Sequence, residues 1–331
     1  MNKLSICIPT YNRKEYLIEL LDSIFSQIND ENRDLIQICI SDNFSSDNSK
    51  KLIEKYIETD KVEIILNINE SNIGPDLNFL KVVEIATGDY CWLMGSDDVL
   101  NLNALDLVLS KINNNPSISV FLGNRDECDK FLKFNKKGSW LDPSIIGINV
   151  DFTKDDQTID YFNYCRSLGG VFSFLSSVIV KKSEWDKVVF DYSFVGSAYS
   201  HVYMVFSILN NSHILQYFSD SIVKCRFEND SFFENTKQRF FLDLYGYYRL
   251  FKIFKNKSVR KAGMYILTKE HPTKHLYTIC LDEKFKIQDM KILKEIGYPI
   301  LSIFFISLFS KFNYFFNTIR PLYRLLNINN R

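Results

Sequence analysis

The sequence predicts an α/β protein in which a mostly parallel, doubly wound sheet is flanked by helices and followed by a helical, aromatic-rich extension. Three observations carry that prediction. Apolar strand-like runs, polar loops and amphipathic helices alternate four times within the first hundred residues, the pattern of parallel strands joined by crossover helices. The fourth run, Tyr90 to Met94, is bounded by turn residues and ends on Asp97 and Asp98. Around residue 230 the pattern changes to dense Phe and Tyr interleaved with Lys and Arg, which sets a boundary between a domain at 1–225 and an extension at 226–331.

In chain order, Leu4 to Ile8 reads as a strand, and Pro9-Thr10-Tyr11-Asn12-Arg13 as the loop at its carboxyl end. Tyr16, Leu17, Leu20, Leu21, Ile24, Phe25 and Ile28 share one face of the helix that follows. Leu35 to Ile40 is a second strand, running into the polar loop Ser41-Asp42-Asn43-Phe44-Ser45-Ser46-Asp47, whose last residues suit a helix N-cap. A helix from about 48 to 57 precedes a third strand, Val62 to Leu66. Asn72-Ile73-Gly74-Pro75 then turns the chain into a helix from about 76 to 86. After the fourth strand, 103–112 reads as a helix and Ser117 to Leu122 as a strand. Residues 123–165 show no clear period. Gly169-Gly170 precede Val171 to Val180, a β-rich run predicted to be a strand or hairpin, with the glycine pair serving as a turn or as space for an acceptor sugar. A helix with Val202, Val205, Phe206 and Leu209 on its apolar face follows Ser200-His201.

Composition narrows the function. The chain has 331 residues, 46% hydrophobic and 24% charged, with 40 basic and 40 acidic side chains, so no overall field draws it to nucleic acid. Seven cysteines are scattered without a CxxC pair or zinc spacing; they read as reduced thiols of a cytoplasmic protein. The amino terminus lacks the basic and long apolar regions of a secretory signal.

Ligands of such sheets sit beyond the carboxyl ends of the strands, which gathers Thr10 to Asn12, Asp42 and Asp97/Asp98 around one crevice. No GxGxxG or GxxxxGK[ST] is present, so bound phosphate charge must be met by a cation, and the carboxylate pair supplies hard oxygens for Mg²⁺ or Mn²⁺. Taken alone, Asp97-Asp98 also reads as a solvated turn, and Asp42 as a residue closing an Asx turn.

Ile8 to Arg13, Ser41-Asp42-Asn43, Asn72-Ile73-Gly74, and Ala86-Thr87-Gly88-Asp89-Tyr90 through Gly95-Ser96-Asp97-Asp98 occur in the order and spacing of the family 2 glycosyltransferases, and the chain resembles them over its first hundred residues, more weakly to about 215. The run Tyr90 to Asp98 is similar to that of bacterial O-antigen transferases, abequosyltransferases among them. This resemblance implies a GT-A fold and transfer of a sugar from a nucleoside diphosphate sugar to a glycan or lipid-linked glycan. It makes Pro9, Thr10, Tyr11, Asn12, Asp42 and Asn72 nucleotide-binding residues and Asp97 and Asp98 holders of Mn²⁺ or Mg²⁺. Gly95 stands where the family has a first Asp. Coordination is then expected to rest mainly on Asp98, with Asp97 touching the sugar or a metal-bound water. The family's catalytic base falls near Ser200-His201, so His201 is the expected base and Asp191 its rival. A non-catalytic sugar-nucleotide-binding or scaffold protein of the same fold is the alternative.

The tail adds a partner. Ile300 to Phe309 is apolar but shorter than the ~20 residues a spanning helix needs. Beyond it Lys311, Arg320 and Arg324 fall on one helical face and Phe312, Phe315, Phe316 and Ile319 on the other. That pattern predicts an interfacial helix on anionic lipid, peripheral on the inner face of the cell membrane.

Overall fold

The computed structural model describes residues 3–211, 213–227, 236–280 and 285–311. The chain divides into two compact units, residues 1–232 and 233–331.

In the first unit a single sheet runs β3-β2-β1-β4-β9-β6-β10-β5. Its strands are β1 (Leu4–Thr10), β2 (Ile36–Asp42), β3 (Glu63–Ile68), β4 (Tyr90–Leu93), β5 (Val99–Leu100), β6 (Val120–Cys128), β7 (Phe134–Gly138), β8 (Gly147–Asp151), β9 (Val178–Lys181) and β10 (Ile214–Arg226). β7 adds to β6, and β8 to β10. The first four neighbours are parallel. β9 inserts antiparallel between β4 and β6, and β6 and β10 are parallel to each other. β1, β2 and β4 are buried along their whole length, as continuous apolar runs covered on both faces should be.

The helices of this unit are α1 (Lys14–Phe25), α2 (Ser49–Ile57), α3 (Pro75–Glu84), α4 (Ala104–Asn114), α5 (Asp155–Tyr164), α6 (Lys182–Trp185) and α7 (Ser200–Leu209). The predicted apolar face of α1 is the buried one, with Leu17, Leu20, Leu21 and Ile24 in a core that also holds Ile6, Ile38, Trp92 and Phe121. α3 begins with Pro at its first position, where no amide is lost.

Two departures from the sequence reading matter for the site. The run at 171–180 forms a strand only over Val178–Lys181; Leu168–Val171 and Leu175–Ser177 are 3₁₀ turns. Ser176 and Ser177 spend their hydroxyls on Asp98 and Trp140. The glycine pair does not open a sugar pocket either. A Cβ on Gly169 would lie 1.9 Å from the Trp140 ring, and one on Gly170 would lie 2.9 Å from Cys165 Sγ, so these residues make room for an indole and a thiol. The long strand β10 had no clean alternation to announce it, because Ser219-Asp220-Ser221 interrupts it where the pairing register slips.

The second unit consists of α8 (Thr236–Leu250), α9 (Lys257–Glu270), α10 (Thr273–Cys280), α11 (Ile287–Ile296) and α12 (Ile300–Lys311). Phe240, Leu244, Tyr247, Phe251 and Phe254 are buried, and Phe240 packs edge-on against His271. Much of the aromatic run therefore builds the core of this unit. Asp243, fully buried, accepts from Arg239 and His271. No helix among the described residues is long and apolar enough to cross a membrane. On α12, Ile300, Leu301 and Phe304 are exposed. The basic and aromatic residues predicted to lie on lipid from 312 onward are outside the described residues.

Candidate active site

The loops at the carboxyl ends of β1 to β4 are laced together by hydrogen bonds. Asn43 is the knot. Its amide donates to the Thr10 carbonyl at 2.9 Å, its Nδ2 to Asn72 Oδ1 at 2.8 Å, and its Oδ1 accepts from the Ile73 amide at 2.9 Å and from Asn69 Nδ2 at 3.0 Å. Asn12, with φ +50°, donates from its amide to Ser45 Oγ and accepts from the Ser46 amide, each at 2.8 Å. From the same loop, Arg13 forms an ion pair with Asp97 beyond β4.

This lacing brings Pro9, Thr10, Tyr11, Asn12, Asp42, Asn72 and Asp97 to one end of the sheet. They are not equally accessible. Tyr11 is 45% exposed, whereas Thr10 and Asp42 are buried. Thr10 Oγ1 has no hydrogen-bond partner, and a buried hydroxyl left unpaired marks a place where a partner is missing. Asp42 Oδ1 accepts from the amide and hydroxyl of Ser45, so it closes its own loop in the Asx manner. Phe44 follows with φ +68° and 58% of its surface exposed.

The two adjacent carboxylates differ sharply. Asp98, only 4% exposed, accepts from Ser176 Oγ at 2.5 Å and from the Arg226 amide at 3.3 Å. Burial, and then the neighbouring Asp97, push its carboxyl up to about 8, against the opposing hydrogen bonds from Ser176 and Arg226. Asp97 keeps a quarter of its side chain exposed and faces Arg13. Of the two carboxylates, Asp97 is thus the outward one and Asp98 the buried one.

Arg226, at the end of β10, holds this turn in place. Its Nε donates to the Asp97 carbonyl at 3.1 Å, and its guanidinium pairs with Glu19 and lies over the Tyr16 ring. Sequence gave no sign of Arg226 or Ser176, because each is some eighty or more residues from the carboxylates it serves. Arg13 was visible only as part of the motif Pro9 to Arg13.

His201, at the start of α7, is buried. It is 2% exposed, with its ring edge-on to Phe79 and its Nε2 donating to the Phe172 carbonyl at 3.0 Å. Burial lowers its pKa to about 4, against smaller opposing effects of Asp76 and the Phe172 carbonyl. The imidazole is therefore neutral and a weak base. Asp191 is exposed and caps a 3₁₀ turn by accepting from the Ser193 amide. Between the two, the loop ahead of α7 is anchored by Asp76, which takes hydrogen bonds from the amides of Gly196, Ala198 and Ser200.

Comparison with known proteins gives the fold and the family. The chain is 42% identical over 284 residues to abequosyltransferase RfbV of Salmonella typhimurium, covering 83% of this chain and 82% of that protein. It is 32% identical over 114 residues to a Campylobacter jejuni GalNAc(5)-diNAcBac-PP-undecaprenol beta-1,3-glucosyltransferase, about a third of each chain. The crystal structure of Staphylococcus aureus TarS 1–349 with UDP-GlcNAc superposes with a TM-score of 0.64 at 15% identity, over 98% of this chain and 92% of that one, which establishes the fold as GT-A. Residues 5–170 match the sequence profile of glycosyl transferase family 2. With that profile spanning half its length, and with a relative 42% identical over most of both chains, the chain belongs to glycosyl transferase family 2.

Proposed function

We propose that this protein moves a hexosyl unit from a nucleoside diphosphate sugar to a hydroxyl of a glycan or lipid-linked glycan, in O-antigen or another surface polysaccharide. The observation that supports the reading is the lacing of four strand-end loops, which ties the loops of Thr10, Asn12, Asp42 and Asn72 to one another and, through Arg13, to Asp97. The abequosyltransferase relative supports the class of reaction, and the undecaprenol-linked substrate in the name of the Campylobacter relative supports a lipid-linked acceptor.

The chain's own residues divide the work. Tyr11, Thr10 and Asp42 receive base and ribose, and the unpaired Thr10 hydroxyl gains its partner there. Arg13 stands within reach of the diphosphate, holding Asp97 until the donor arrives. For a divalent cation the donor set fits. A Cβ on Gly95 would lie 3.2 Å from Asp98 Oδ2 and Ser176 Oγ and 3.3 Å from Asp97 Oδ1, so the bare Cα leaves the two carboxylates uncrowded, and carboxylate oxygens are the donors these cations take. Among the described residues no cluster of three or more His, Cys, Asp or Glu forms a complete cage. Asp97, the more exposed of the two, and Asp98 would hold Mn²⁺ or Mg²⁺, and the bound ion would supply positive charge against the leaving diphosphate. His201 takes the smaller role of fixing the start of α7 to Phe172. We place the protein at the inner face of the cell membrane, on the strength of the basic and aromatic residues from Lys311 to Leu326.

A thermal-shift panel of UDP, GDP, CDP and dTDP with their sugars, each with and without Mn²⁺, tests the reading. One base should stabilise the protein by mass action, about 2.7 kcal/mol at a hundredfold excess over Kd. If no nucleoside diphosphate raises Tm, the proposal fails. A non-catalytic sugar-nucleotide-binding protein is the second reading, favoured by Gly95 and by the burial of His201. Slow hydrolysis of the bound donor would exclude it.

A further inference from the structure

We propose that Arg125 and Glu127, on β6, form the subsite that binds neighbouring hydroxyl groups of the acceptor sugar. The proposal rests on the transferase reading above and deepens it by locating the acceptor side of the same site.

The sheet order divides the crevice. β1, β2 and β3, whose loops form the nucleotide cluster, lie on one side of β4, and β9, β6 and β10 lie on the other. An acceptor must approach the transferred sugar from the side the nucleotide leaves open. There the carboxyl ends of β6 and β10 run parallel, with Glu127 opposite Cys225 and Cys128 opposite Arg226. Because the Arg226 amide bonds Asp98, Glu127 stands one ladder step from a residue that touches the carboxylate pair. Arg125 lies two residues earlier and so on the same face. Its Nη2 donates to Glu127 Oε1 at 2.6 Å, and its guanidinium lies 3.4 Å above the Trp140 ring. The Cys225 thiol, raised mainly by burial, also responds to Asp98, Arg125, Asp97 and Glu127.

The two side chains are only 12% and 15% exposed. An ion pair this dry is a poor device for stability, since its desolvation cancels much of the attraction. It is well suited to a sugar. Each sugar hydroxyl both donates and accepts, and a guanidinium fixed beside a carboxylate offers the complementary groups to two adjacent hydroxyls. Trp140 holds the guanidinium plane, its own Nε1 donating to the Gly123 carbonyl and to Ser177 Oγ at 2.9 Å each. Gly138, opposite Arg125 on β7, makes room for the pair: a Cβ there would lie 3.0 Å from both Arg125 Cζ and Glu127 Oε1. Lys136, 71% exposed, lies beside the pair with Nζ 3.2 Å from Glu127 Oε2.

The test uses the full chain with Mn²⁺ and the nucleoside diphosphate that binds in the panel above. Saturation-transfer NMR is recorded with the methyl α-glycosides of mannose, galactose, rhamnose and N-acetylglucosamine, and with glycerol 3-phosphate. Glu127→Gln keeps the shape and removes the charge; Arg125→Lys keeps the charge and removes the planar fork. At least one methyl glycoside should receive saturation from the wild type. That signal should fall at least tenfold in both variants while nucleotide Kd, by calorimetry, stays within twofold. Undiminished signal in both variants overturns the subsite, as does a wild type that binds nucleotide but no glycoside, or one that binds only glycerol 3-phosphate. Failure to bind any nucleotide would instead overturn the transferase reading.

Discussion

Replacing His201 tests whether this residue is a sealed core histidine or an open base. The unfolded imidazole has a pKa near 6.5, and burial lowers the folded one to about 4. Between those values the unfolded chain binds more protons than the folded one, so His201 contributes stability above pH 6.5 that drains away as pH falls toward 4. At about 1.4 kcal/mol per pKa unit the full loss is roughly 3 kcal/mol, of which about 2 kcal/mol falls between pH 7 and pH 5. Asp98 contributes with the opposite sign over part of this window, since its raised carboxyl holds a proton up to about 8 in the fold. The wild-type slope alone is therefore ambiguous. The difference between wild type and His201→Phe removes the Asp98 contribution. Phe keeps the packing against Phe79 and loses the bond to the Phe172 carbonyl, a cost of about 1–3 kcal/mol independent of pH. Urea unfolding followed by tryptophan fluorescence is the assay, because Trp92, Trp140 and Trp185 all lie in the first unit. The wild-type advantage should shrink by roughly 2 kcal/mol from pH 7 to pH 5. An advantage equal at both values would show an imidazole open to water and refute the sealed reading.

Asp97→Asn should abolish the Mn²⁺ dependence of nucleoside diphosphate binding and lower turnover at least tenfold, checked by calorimetry and donor release; unchanged Mn²⁺ dependence would move the cation elsewhere. Asp98→Asn removes a buried charge, so it should raise Tm at pH 8 while weakening Mn²⁺ binding, and a lower Tm would contradict the burial argument. Gly169→Ala places a Cβ 1.9 Å from the Trp140 ring and should cost about 1–3 kcal/mol of stability; an unchanged urea midpoint would mean that the indole can move. Truncation after Tyr298 should release the protein from membrane pellets with nucleotide binding intact, and equal soluble fractions for both forms would count against the lipid surface.

The sequence by itself determined the fold class and which polar loops gather at one end of the sheet. The first four strands are short apolar runs between turn residues, and the loops that end them carry the polar residues of the motifs. Periodicity and turn chemistry are local, so β1 to β4 and the helices between them could be read residue by residue. Only the tertiary structure decided which carboxylate faces outward, because that depends on Ser176 and Arg226 arriving from distant segments to engage Asp98. It also decided the fate of His201, since Phe79 and Phe172, which seal the imidazole, belong to α3 and to the turn before β9. The partners of Arg125 come from residues 123–165, where no period was legible, and from β10, whose alternation a bulge interrupts. Local chemistry writes strands and loops into the sequence; burial and long-range hydrogen bonds, which set pKa and accessibility, exist only once the chain has closed on itself.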